Sequence, residues 1–413
     1  MHHPNHGSPL FCMDRRRFLK TAGMAGAGLI AFGHHGCAGG KARKQPAPLP
    51  VLTNLPGRVT IRAVPPNASD GDIIRAVQRT AEAATDFSWL SRGDVVFIKP
   101  VANSPNPYPA VTSPLAVRAM TGLLLRKGAG KVIVGDKPGV ITVHHEPEER
   151  SGSSRDVLTR VGLHVAAIES GAEMHYFDEY GYDAYSGYRT SSPGNWKNEL
   201  MLPDILNHVD HIVLLPRVSR HVLAGTTLGL KAAVGWLRDD SRLEFHRDAD
   251  TFFEKIAEIN DAPVLRQKLR LTLSVATKVL STYGPDKGYV ATPKTGLVFA
   301  SDSLLAHDMA ALGWLLWNRE FETPPGELSW FNDPYTGIPS SLNSGFVGYI
   351  WGIRQWYHAS HYDPVPITSA AADPVIGRAA RLWGGFPRLE MEDVGGDLPA
   401  AIHDYLMEKA KAG

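Results

Sequence analysis

Between Ile212 and His246 the chain gathers Arg217, Arg220, His221, Lys231, Arg242 and His246 in a frame of Gly, Thr and apolar residues. Guanidinium and ammonium groups hold phosphate or carboxylate through charge-assisted hydrogen bonds. Imidazole titrates near neutral pH and serves as general acid or base. The combination points to acid–base chemistry on a small anion. His221, Lys231 and His246 are the catalytic candidates, and Arg217, Arg220 and Arg242 the binding ones. Lys99 and Asp136 join the binding set, because each follows a short apolar run of strand type. The bland alternative is a loop of solvated surface charge.

A metal is a second use for the same histidines. His221 and His246, with Asp136 or Asp308, offer nitrogen and oxygen donors. The competing reading is two separate imidazoles that satisfy local hydrogen bonds. His144-His145-Glu146 also has metal-ligand residue types, but adjacent side chains point apart on any regular element.

These residues need elements to position them. Val59–Val64, Val95–Ile98, 131–134, Ile212–Leu215, 270–280, Leu297–Ala300 and 388–391 read as strands. Helices are expected from Ser69 or Asp70 to Ala84, from Ser113-Pro114 to Gly128, over 250–273 with a break at Pro263, from Asp302 as cap to Trp317, over 373–383 and over 399–411. Ala224–Gly229 reads as a turn rich in Gly and Thr, leading to Lys231 on an apolar helical segment that ends near Trp236. Strands alternating with helices argue an α/β fold, a mainly parallel sheet with helices on both faces. Right-handed crossovers then bring the carboxyl ends of the strands to one side, where such sheets bind ligands. No Gly-x-Gly-x-x-Gly or phosphate-binding loop follows any strand. Residues 323–366 form a long aromatic-rich insertion towards the C-terminus.

The first forty residues are a separate object. Asp14-Arg15-Arg16-Arg17-Phe18-Leu19-Lys20 before a weakly apolar run reads as a twin-arginine export signal. Its partner is the twin-arginine translocation machinery, and its destination the periplasm or the outer face of the membrane. Without residues 1–40, 39 basic and 41 acidic residues remain, a net charge of −2, so nothing suggests a nucleic-acid surface. Both cysteines, Cys12 and Cys37, lie in this stretch. A chain cleaved near residue 40 therefore ligates no iron–sulfur cluster through its own thiolates. Cleavage just before Cys37 would leave that residue open to lipid attachment. Residues 41–56 read as a Pro-rich tether, 57–400 as the α/β domain and 401–413 as a C-terminal helix.

Several blocks occur in a fixed order. They are Ile98-Lys99-Pro100, Gly128-Ala129 to Asp136, Leu215-Pro216-x-x-x-Arg220-His221, Gly229-Leu230-Lys231-x-x-x-Gly235, Arg242-x-x-x-His246 and Ser301-Asp302 to Asp308. Over roughly residues 57–400 the chain resembles the bacterial and archaeal domain of unknown function 362 family. The resemblance implies the α/β fold and a site that includes His221, Lys231, Arg242 and His246. It also implies an iron–sulfur redox protein as a partner. Val101, Arg220 and Ala232 stand where the family carries Asn, Lys and Asn, with Asn103 near the first. Ser281-Thr282 stands where an Asp is usual. The family brings no settled reaction and no known cofactor. The reading is an exported enzyme acting on a small-molecule anionic ligand at the Lys/Arg/His cluster. The alternatives are a periplasmic protein that binds an anion or cofactor without reaction, and a divergent, inactive member.

Overall fold

The computed structural model describes residues 51–52, 55, 57–221, 223–328 and 367–411. The twin-arginine stretch, Cys37 and most of the 323–366 insertion lie outside the described residues.

In chain order, the strands that matter here are β1 (Arg58–Val64), β2 (Val95–Pro100), β3 (Lys131–Val134), β4 (Glu173–Met174), β5 (His211–Leu215), β6 (Ser219–His221), β7 (Gly225–Thr227), β8 (Leu269–Ala276), β9 (Val279–Leu280), β10 (Val290–Ala291), β11 (Gly296–Ser301) and β12 (Glu390–Asp393). The helices are α1 (Asp70–Ala84), α2 (Pro114–Lys127), α3 (Gly229–Ala232), α4 (Asp239–His246), α5 (Phe252–Ile259), α6 (Leu304–Phe321) and α7 (Pro374–Leu382).

Eight strands form the main sheet in the order β12-β1-β11-β8-β5-β2-β3-β4. All neighbours are parallel except β11, which runs antiparallel to both β8 and β1. The mainly parallel α/β sheet is therefore present, with one reversed strand inside it. Side chains alternate between two buried faces. Phe97, Ile212, Leu214 and Phe299 pack on one side with α5, α6 and α7. Val96, Ile98, Val213, Leu215 and Val298 pack on the other with α1 and α2. A strand covered on both faces has no polar side to show, which is why these read as continuous apolar runs.

Local signals set the helix ends. Ser69 and Asp72 close a capping box on α1. Gly128 ends α2 at φ 112°, a left-handed conformation that suits Gly. The cap of α6 is Ser303, which accepts the Ala306 N–H, and not Asp302. The segment from 250 is shorter than expected. Helix α5 stops at Ile259, a second helix spans Pro263–Lys268, and β8 begins at once. Val51–Leu52, within the stretch read as a tether, pair in parallel with Phe386–Pro387.

Chain order and spatial order part company at one place. From β2 the chain moves outward to β3 and β4, then returns to the other side of β2 as β5. The strand order reverses there, and ligands of open α/β sheets sit outside the carboxyl ends of such a strand pair. Lys99 pairs in register with Leu214, and Pro100 with Leu215. The exits of β2 and β5 therefore lie side by side.

Candidate functional site

Lys99 ends β2 on the same face as Phe97 and is fully buried. Its ammonium contacts Asp136 Oδ1 at 2.5 Å and donates to the carbonyls of Pro100 (2.9 Å) and Ala232 (3.2 Å). Asp136, just past β3, accepts the Ala102 N–H at 2.6 Å through its other oxygen. The pair links two strand exits to the turn after α3, with its polar atoms already in use. Both were expected to bind ligand. In the structure they pair with each other, and this buried pair forms a floor joining the two strand exits.

Gly235 lies directly on this floor. A Cβ there would collide with Asp136 Oδ1 and come within 2.5 Å of Lys99 Nζ. Gly235→Ala must therefore push the 233–236 turn off the ion pair. The expected cost is about 1–3 kcal/mol, typical of overpacking. Urea denaturation of the two proteins checks it.

Arg242, on α4, is 2% exposed. It donates to the carbonyls of Leu237 (3.1 Å), Lys137 (2.7 Å) and Pro138. Lys137 returns the contact, since its ammonium pairs with Asp239, one turn earlier on α4. Asp239 also accepts the His145 N–H at 2.5 Å. This reciprocal clamp fixes α4, and with it His246. Burial, then the Arg242 charge, pushes Lys137 down to about 8.

The segment after β5 is not a loop. Ser219–His221 and Gly225–Thr227 form an antiparallel hairpin, the start of a four-stranded sheet in the order β7-β6-β9-β10. Arg217, 1% exposed, precedes it and donates to the carbonyls of Ala110 and Pro285 (2.7 Å). Its Nε–H is buried with no hydrogen-bond acceptor among the described residues. Arg220 is buried on β6, and its charge reaches His221. His221 Nδ1 accepts the N–H groups of Leu223 and Ala224, both at 3.1 Å. That leaves the ring proton on Nε2. Burial, then the Lys231 and Arg217 charges, holds this imidazole neutral, well below its usual titration range.

His246 has the opposite arrangement. Its Nδ1 donates to the Arg242 carbonyl at 2.8 Å, so Nε2 carries the lone pair. Burial pushes it down to about 3, with the Lys231 and Arg242 charges acting in the same direction.

Lys231 stands among these groups on α3. It is half-buried, and among the described residues it has no hydrogen bond and no ion pair. Burial first, then Arg217 and Arg242, pushes it down to about 7, with Asp286 pulling the other way. Asp308 holds α3 in place. Its carboxylate accepts the Gly229 and Leu230 N–H groups at 2.8 and 2.7 Å, and His307 at 2.8 Å. An anionic cap at a helix start is favourable, and this use occupies both oxygens.

The structure does not assemble His221, His246 and Asp308 as a metal set. His221 presents a proton, and Asp308 is spent on α3. Among the described residues no three His, Cys, Asp or Glu side chains gather as a metal ion requires. His144 and His145 lie instead on a two-residue strand paired with Arg150–Ser151.

Asp286 was missing from the sequence reading. It accepts from Asn103 Nδ2 (2.8 Å) and Ser104 Oγ (2.7 Å), and its charge reaches Lys231 and Arg217. It follows the Gly284-Pro285 turn. At Gly284 φ is 61° and a Cβ would strike the Arg220 carbonyl. That Gly-Pro-Asp turn was its only signal.

A family model described as a domain of unknown function, number 362, matches residues 96–313, more than half of the chain. The chain belongs to that family. The match spans β2 to α6 and so includes every residue of the site described above. It is narrower than the 57–400 over which the resemblance was drawn, although β1 and β12 continue the same sheet on either side. No curated protein matches. Among solved structures, a Thermotoga maritima protein is similar at 13% identity and a TM-score of 0.36, over 52% of each chain. The lactate racemase apoprotein of Thermoanaerobacterium thermosaccharolyticum is similar at 14% identity and a TM-score of 0.37, over 60% of this chain and 54% of that one. The chain thus spans about half the length of these structures.

Proposed function

We propose that this family member binds a small anionic molecule between α3, α4 and the β6–β7 hairpin, and acts on it as an enzyme. One observation carries the reading. Among the described residues Lys231 has no carboxylate at ion-pair distance, and neither have the buried Arg217 and Arg242, while the buried lysines Lys99, Lys137 and Lys255 are paired. Burying unpaired positive charge is unfavourable, and a bound anion would relieve it. The two imidazoles that the Lys231 charge reaches present one N–H and one lone pair, a donor and an acceptor for proton transfer.

The twin-arginine stretch supports export of the chain to the periplasm or the outer membrane face, by a route suited to proteins that fold first. An iron–sulfur redox protein is the partner that the family association suggests.

The test is calorimetric titration with inorganic phosphate and with short-chain carboxylates from pH 6 to 8. Affinity should be about tenfold weaker at pH 8 than at pH 6, because Lys231 loses its charge across that window. Lys231→Met should abolish both the affinity and its pH slope. Binding that is unchanged in this variant would overturn the assignment.

A further inference from the structure

We infer that the cleft between the sheet, the start of α6 and the turn after α3 binds a small organic ammonium ion, a protonated amine on an apolar body. This is a second site, and it does not depend on the anion-site reading. Arg217, His221, Lys231, Arg242 and His246 do not line it.

The cavity has a volume of about 340 Å³, the size of a small-molecule site. Its floor is apolar. Ile212 and Leu214 of β5 and Leu269 of β8 line it from the sheet, and Leu304 and Leu305 from the first turn of α6. The indoles of Trp236 and Trp383 complete the walls. Such a floor favours an aliphatic or aromatic body, whose apolar surface leaves water on binding.

The polar groups of the cavity select the head group. Asn260 lines it and is 7% exposed. Its Nδ2 donates to the carbonyls of Leu230 (2.8 Å), Ile256 (3.3 Å) and Ala257 (3.4 Å). Three carbonyls around one amide atom fix that atom as the nitrogen. The other atom, Oδ1, accepts no hydrogen bond among the described residues. A buried amide oxygen is normally paired, because leaving it bare costs its lost hydration. Asp302 stands exposed at the rim and makes no ion pair among the described residues. Partial burial raises its carboxyl above the usual value. The nearby cations are committed elsewhere. Arg266, also at the rim, pairs with Asp261 at 3.0 Å, and its guanidinium lies over the Trp383 ring. Arg58, whose charge reaches Asp302, pairs with Glu392. One amide oxygen and one carboxylate are therefore left to accept. An ammonium group donates to both, whereas an anionic head would meet like charge at Asp302.

The test uses the full chain labelled with fluorotryptophan and read by fluorine NMR. The probes are phenethylammonium, phenethyl alcohol and phenylpropionate, which share one body and differ in the head. Phenethylammonium should shift the Trp383 resonance, which Trp383→Phe assigns. It should bind at least about fivefold more tightly than the alcohol or the carboxylate. Asp302→Asn should weaken the ammonium about fivefold and leave the alcohol unchanged. Asp302 is exposed and does not cap α6, so this variant keeps the fold. No shift at Trp383, equal affinity for the three probes, or an ammonium affinity unmoved by Asp302→Asn each overturns the inference.

Discussion

Lys99→Met destabilises the folded chain by about 3–5 kcal/mol, the usual cost of removing one half of a buried ion pair. The substitution leaves Asp136 ionised at 2% exposure, with the Ala102 N–H as its remaining close partner. It also strands the Pro100 and Ala232 carbonyls, which accept from the ammonium. The double variant Lys99→Met, Asp136→Leu removes both charges and should recover a large part of the loss, because a buried pair contributes little net stability against apolar residues of similar volume. Urea denaturation of the wild type, both single variants and the double variant measures the coupling. If the double variant is as damaged as the sum of the singles, the pair is not coupled and the floor assignment fails. Some loss will persist in any case, since the two carbonyls stay unpaired.

Acid should unfold the protein earlier than its carboxylates alone predict. Burial pushes His175 down to about 4. It lowers His246 to about 3 and His221 well below its usual range. In the unfolded chain each titrates near 6.5. Between pH 6.5 and the folded values, the unfolded state binds more protons than the native one. Stability is therefore intact above pH 6.5 and falls as the pH drops towards 3. Each histidine contributes up to about 1.4 kcal/mol per pH unit, so the three together reach about 4 kcal/mol per unit below pH 6. The upper part of this window, from pH 6.5 to 5, lies above the range where ordinary carboxylates protonate. Denaturation across that interval isolates the effect, and His221→Gln should remove about a third of the slope. A flat stability between pH 6.5 and 5 would show that the imidazoles are not held neutral.

The region of the site was legible in the sequence, while its internal roles were not. Residue type and order marked Lys99, Asp136, Arg217, Arg220, His221, Lys231, Arg242 and His246 as one region, since each follows a strand or lies on the segment after it. Nothing in a linear chain says which of several cations already has a partner. Lys99 and Lys231 are the same residue type, yet one is paired with Asp136 and the other has no ion pair among the described residues. Arg242 looked like a ligand-binding residue and spends its donors on three backbone carbonyls. Asp308 looked like a metal candidate and holds the start of α3. Asp286 reaches Asn103 and Ser104 from more than 180 positions away in the chain, a separation that no local pattern reveals.

The sequence by itself determined what depends on neighbours along the chain. Apolar runs of strand length, the Ser69 box and the Gly128 stop specify strands, caps and an α/β alternation, because backbone propensity and periodicity act over a few residues. The tertiary structure alone decided the reversed β11, the β6–β7 hairpin and the position of the strand-order reversal, since these depend on which distant strands bury each other's faces. It also decided protonation. Whether Lys231 is an ammonium or an amine at pH 7 follows from burial and from the charges of Arg217, Arg242 and Asp286, which the fold brings near it from three separate stretches of the chain.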